Sequence, residues 1–254
     1  MTRDLLWRGM LAGIVAALFA TLFARIFAEP QVDLAIAFEA AQSAHAMAVH
    51  AAEEPELVSR TTQKGLGLLT ATSLYGAAVG GIFSLVFAYS YGRLAIVGPR
   101  TLALLLGALA FLVIVIVPAL KYPPTPPAVG LHETVGLRTI AYFAMIALSV
   151  VACIVAVKLR SAVAARVCAF NALLCASVGF VTVIAVAQMG LPAIDEVPAG
   201  FPPTVLWDFR VASLGMQLTL WTTLALVFGV LAEGVVREGF KAPFAQSGGA
   251  WPKR

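Results

Sequence analysis

The sequence predicts an all-α fold: a polytopic membrane helix bundle of six transmembrane helices, with the N-terminus and C-terminus cytoplasmic. Three observations lead there. First, 61% of the 254 residues are hydrophobic and only 12% are charged, about half the roughly 25% charge of an average soluble domain. With a mean hydropathy of +0.93, a soluble chain of this length could not hide its apolar surface, so lipid must cover part of it. Second, the charges divide the chain into six uncharged runs, each long enough for the about 20 apolar residues that a spanning helix needs. Third, those runs are apolar on all sides. They lack the short alternating segments of a membrane barrel, and in lipid a helix satisfies its own backbone hydrogen bonds.

Taken in order, the spans are expected at about 5–27, 65–91, 101–120, 139–157, 167–189 and 211–232, within a single transmembrane domain over 1–254. The first begins after Arg3 and could be taken for a signal peptide. No clean small-x-small cleavage site precedes a soluble domain, so it is read as a retained helix. Arg25 near its end can snorkel to the headgroups. The second lies between Lys64 and Arg93, the third between Arg100 and Lys121, the fourth between Arg138 and Lys158. The fifth lies between Arg166 and Asp195, and the sixth between Arg210 and Glu233. Gly9 and Gly13, and Gly76 and Gly80, have the GxxxG spacing that lets helices approach closely.

Orientation follows from lysine and arginine, which favour the cytoplasmic side. With the N-terminus inside, the inner segments hold Arg3, Arg8, Arg93, Arg100, Lys158, Arg160, Arg166, Arg237, Lys241, Lys253 and Arg254, eleven of the 17 basic residues. Of the 13 acidic residues, only Asp4, Glu233 and Glu238 lie inside, and all three histidines lie outside.

Three outer segments follow, 29–64, 121–138 and 190–210. The first is helical over 32–52, which lacks glycine and proline, and Pro55 ends it. The second carries Pro123, Pro124, Pro126 and Pro127, too many for a helix, and forms a stiff extended turn. The third carries Pro192, Pro198, Pro202 and Pro203 beside Asp195 and Glu196.

Few residues could carry chemistry. Cys153, Cys168 and Cys175 sit inside apolar runs with no CxxC pair, against a disulfide framework or zinc site. No P-loop, GxSxG or dinucleotide fingerprint is present, so an energy-coupling ATPase would be another chain. No basic run is interleaved with aromatics, which excludes nucleic acid as a partner. The chain is not expected to be an enzyme or to hold a permanent cofactor. The outer face supplies imidazole and carboxylate, ligands that divalent cobalt accepts. The candidate metal contacts are Glu39, His45, His50 and His132. On one helix His45 and His50 would point about 140° apart, so they would need other residues to share an ion. At mid-depth the polar candidates are Thr70, Thr72 and Ser73, Asn171, Ser177 and Thr182, and Ser213, Gln217, Thr219 and Thr222. Met145 and Met189 add soft sulfur. No span has a charge near its middle.

One resemblance covers most of the chain. Lys121-Tyr-Pro-Pro-Thr-Pro-Pro-Ala-Val-Gly130, with Glu133-Thr134 and Arg138-Thr139, is similar to a hallmark stretch of the CbtA family, the probable cobalt transporter subunit. Val58-Ser-Arg60, Tyr75-Gly76, Gly80-Gly81 with Phe83, Gly92-Arg93, and Phe201-Pro-Pro203 with Leu206-Trp207 and Phe209-Arg210 agree with it. His132 departs from it, standing where an acidic or small polar residue is expected. The resemblance implies a multi-pass protein of the bacterial inner membrane, linked to cobalt and cobalamin supply. Cobalt(II) is then the transported ion, and a CbtB-like small single-helix subunit with a histidine motif is the partner; a homo-oligomer stays open. The alternative is a membrane scaffold or assembly protein that transports nothing.

Overall fold

The computed structural model describes residues 2–46, 59–93, 97–127, 129–130 and 132–246. Among them every regular element is helical. Six helices are long and apolar enough to cross a membrane. They are α1 (Thr2–Phe27), α3 (Arg60–Ser90), α4 (Pro99–Lys121), α5 (Val135–Val163), α6 (Ala169–Gly190) and α7 (Pro203–Gln246, apolar over Pro203–Arg237). Between the first two lies α2 (Glu29–Ala46). It begins three residues earlier than 32, because Pro30 is tolerated in a first helical turn, where its missing N–H has no intrahelical partner anyway. Residues 47–52 of that expected helix lie outside the described residues.

The chain forms two compact units: Met1–Glu29, Glu53–Leu109 and Gly215–Arg254 make one, Pro30–Ala52 and Ala110–Leu214 the other. Both α4 and α7 contribute one part to each.

In the first unit α1 and α3 pack backbone to backbone. A Cβ on Gly13 would collide with the Gly76 carbonyl oxygen, one on Gly9 with that of Gly80, and the converse substitutions clash in return. The two GxxxG pairs therefore form one interface. Ala17 extends it, facing Gly76, and Ala12, Ala16 and Ala20 on the same helix are also fully buried. Small side chains suit this contact, since lipid offers no hydrophobic drive and close van der Waals approach must supply the attraction. Further along, the Thr21 and Thr72 hydroxyls lie 2.6 Å apart, one donating to the other. Each has a carbonyl of its own helix in reach, Ala17 O and Leu68 O, and with one proton apiece only the accepting hydroxyl donates back. Nearer the other end, Phe87 and Phe228 are fully buried. Edge-on contacts join Phe228 to Phe87 at 5.1 Å and to Phe83 at 5.4 Å, an arrangement that the ring quadrupoles favour.

In the second unit the core of the helices is Val117, Met145, Ala152 and Ile184, with Phe180 and Leu191 against it. Here α4 is not a plain α-helix. It widens to a π-helical stretch at Phe111–Ile116, and Val117 sends its N–H to the Leu112 carbonyl. Pro118 has no N–H, so the Val113 carbonyl has no donor on its own helix. Ser149 of α5 fills the gap, donating to Val113 O at 2.6 Å from a fully buried position. Gln188 of α6 donates to Val117 O at 3.2 Å. A proline is tolerated inside a span when a neighbouring helix re-satisfies the backbone, as Ser149 does for Val113 O.

Candidate functional site

The second unit gathers parts of all three segments expected on the outer side. Ala35 of α2 is fully buried against Val129 and Phe201, with Phe38, Val205 and Leu206 packed on the same cluster. Phe38 meets Phe201 edge-on at 5.0 Å. Thus α2, the proline segment and the approach to α7 share one small apolar core. Apolar side chains in these polar stretches serve to bring the segments together.

The proline segment is anchored at both ends. At its start, Lys121 Nζ donates to Gln188 O at 2.7 Å and the Tyr122 hydroxyl to Pro192 O at 2.8 Å. Desolvation by burial pushes the Tyr122 phenol above its usual value. In the middle, residues 123–126 form no helix, as four prolines require, and Pro126 is buried. At its end, Gly130 adopts φ +126°, and a Cβ there would run into the Arg138 guanidinium. Glycine is favoured at that position by the backbone angle, while the guanidinium, at the end of a flexible side chain, could move aside.

Arg138 ties this segment to the third one through an ion pair with Glu196, Nη1 to Oε2 at 3.2 Å. The carboxylate side chain is only 9% exposed. The same guanidinium points at Val129 O, 3.5 Å away. In the first unit a comparable pair joins Arg60 to Glu29 at 2.6 Å. At the end of that unit expected to be cytoplasmic, Glu233 bridges Arg100 at 2.5 Å and Arg237 at 2.7 Å. Arg8 donates to Leu231 O there at 2.8 Å. A cleft of about 590 Å³ beside it is lined by Arg3, Asp4, Leu6, Trp7, Arg8 and Met10.

The sequence-predicted metal contacts fall as follows. Glu39 is exposed on α2, one residue from the Phe38 anchor. His45 lies in the last turn of α2 and His132 in a short 3-10 turn, His132–Thr134, just after the proline segment. For both, only the backbone is described. His50 lies outside the described residues. Glu39 and His132 thus flank the shared apolar core along the chain. Among the described residues no group of three or more His, Cys, Asp or Glu could hold a metal ion.

Of the mid-depth candidates, Thr72 pairs across the α1–α3 interface, whereas Thr70, Thr182 and Thr219 return their protons to their own helices. Met145 is fully buried in the helix core, and Met189 is exposed. Sequence reasoning missed Ser149, Gln188, and the Arg138–Glu196 pair. For Ser149 the available signal was Pro118, whose missing N–H leaves a carbonyl of the preceding turn without its donor; for Gln188, which bonds Val117 O, the sequence carries no such signal.

Six apolar helices, with a small-residue contact and a hydroxyl pair inside one unit and hydroxyl and amide hydrogen bonds inside the other, define a polytopic membrane protein. A family model described as "Probable cobalt transporter subunit (CbtA)" matches residues 2–233, nearly the whole chain. The chain belongs to the CbtA family. No curated protein and no solved structure matches it.

Proposed function

We propose that the chain is the membrane subunit of a cobalt(II) uptake system in the bacterial inner membrane, with both termini in the cytoplasm. The observation that carries this reading is the family match over residues 2–233, which coincides with six helices long and apolar enough to span. The basic residues favour the orientation. Glu39, His45, His50 and His132 are the proposed first contacts for the ion on the outer side. Carboxylate and imidazole suit a borderline divalent ion, and an acidic outer face concentrates cations. A CbtB-like single-helix subunit is the proposed partner, and the ion passes with that subunit present.

A second reading, a scaffold that binds a partner and transports nothing, is favoured by one feature. The apolar windows of α5 and α6 are only 22% and 17% buried, so wide helix faces are left for lipid or for another chain.

Labelled cobalt uptake by cells with and without the chain, at nanomolar metal and with the partner present, separates the two. Uptake that depends on the chain is expected, and equal uptake would end the transport reading. A His45→Ala, His50→Ala, His132→Ala triple variant at normal membrane abundance should take up less. Wild-type uptake by that variant would remove the histidines as ligands while leaving the carboxylates.

A further inference from the structure

Inside a membrane-spanning bundle each polar atom needs a protein or water partner, because lipid supplies none. Two buried side-chain atoms of α7, Gln217 Oε1 and Trp221 Nε1, have no hydrogen-bond partner among the described residues. They are four residues apart, so they share one helix face. Both belong to the first unit and lie near the middle of the 35-residue span Pro203–Arg237. Trp221 is 5% exposed, and its ring lies 6.4 Å from that of Phe83 on α3. Gly107 of α4 comes close to the same turn, since a Cβ there would lie 2.6 Å from Ala225 Cβ and 3.4 Å from Trp221 O.

The two atoms are complementary. A carboxamide oxygen only accepts, and an indole N–H only donates. A water molecule suits both, taking the indole proton on its oxygen and giving one of its own to the carboxamide. With the carboxamide turned over, which shape alone does not distinguish, water accepts from both groups. A bare cation would gain one oxygen and face the positive end of the indole N–H. An anion would face the carboxamide oxygen in the first arrangement, and in the second it would bring an uncompensated charge to the middle of the span. Neutral water is the occupant that these groups select, and buried waters are held by such otherwise unsatisfied groups.

We infer that α7 carries a buried water site between Gln217 and Trp221 in the core of the first unit. It goes beyond the proposed function and does not depend on it. On the uptake reading it sets ordered water at mid-depth in a span whose centre has no charged side chain.

The test uses the full chain purified in detergent, with indole nitrogens labelled. Trp221→Phe identifies the Trp221 resonance among the four tryptophans. A water-to-indole magnetisation-transfer peak is expected at Trp221 in the wild type and is expected to vanish in Gln217→Met. That substitution should lower Tm, and combining it with Trp221→Phe should cost less than the sum of the two alone, because each breaks the same bridge. Absence of the peak in the wild type would overturn the inference. So would a Tm that rises in Gln217→Met, the result for a dry acceptor replaced by an apolar side chain of similar length. If Trp221→Phe or Gln217→Met fails to fold, Trp7→Phe, Trp207→Phe and Trp251→Phe identify the Trp221 resonance by elimination, and the wild-type peak decides.

Discussion

Replacing Ser149 with alanine removes one hydroxyl and should leave the Val113 carbonyl buried with no donor. Val117 gives its N–H to Leu112, Pro118 has none to give, and Ser149 Oγ is the side-chain donor at 2.6 Å. Val113 is 4% exposed and Ser149 fully buried, so water cannot easily take over. Leaving a buried acceptor unsatisfied costs about 1–3 kcal/mol in proteins, while interhelical hydrogen bonds within membranes average nearer 0.6 kcal/mol. A loss of about 1–2 kcal/mol is expected for Ser149→Ala, since proline bars the helix from closing the gap itself. Reversible unfolding in mixed micelles with increasing denaturing detergent would measure it. The diagnostic control is Pro118→Ala, which restores an N–H within reach of the Val113 or Ile114 carbonyl. In that background Ser149→Ala should cost less, by a coupling of about 0.5 kcal/mol or more. Ser149→Ala as stable as the wild type, or strictly additive with Pro118→Ala, would refute the account of how the π-helical stretch is satisfied.

Other expectations follow from the packing and the ion pairs. Gly13→Leu should abolish the close α1–α3 contact, because even a Cβ there collides with the Gly76 backbone. Overpacking of this kind costs about 1–3 kcal/mol or more, read as lost monodispersity and a lower unfolding midpoint. Arg138→Ala should destabilise the second unit, since it takes an ion-pair partner from a carboxylate that is 9% exposed, whereas changing both partners to neutral residues should cost less. Equal losses for the single and the double variant would count against the pair. A reporter fused after Arg254 should be active only on the cytoplasmic side, and activity only in the periplasm would reverse the orientation.

What could be read in the sequence depended on how many residues carried each signal. The six spans rest on runs of about 20 apolar residues, and six helices long and apolar enough to cross a membrane stand among the described residues. The GxxxG pairs were visible because four glycines at fixed spacing repeat on two helices, and the structure makes them one interface. Thr72 was marked as polar at depth, but its partner Thr21 was not, since one hydroxyl in an apolar run looks the same whether it faces lipid or a neighbour. Ser149 escaped for that reason, and Gln188 because its acceptor, Val117 O, lies on another helix. The Arg138–Glu196 pair joins residues from separate loops, and no spacing rule links them. Met145 had two readings, soft ligand or packing residue, and its complete burial among Val117, Ala152 and Ile184 supports packing. The side chains of His45, His50 and His132 remain a proposal resting on ligand chemistry.

Cobalt entry into sealed vesicles tests the central claim most directly. The purified chain, reconstituted with its partner subunit and a cobalt-sensitive dye inside, should give a dye response on adding cobalt outside. The response should disappear when the chain is omitted and weaken in the triple histidine variant. Vesicles that contain both subunits under an imposed ion or voltage gradient, yet fill no faster than vesicles with the partner alone, would contradict it.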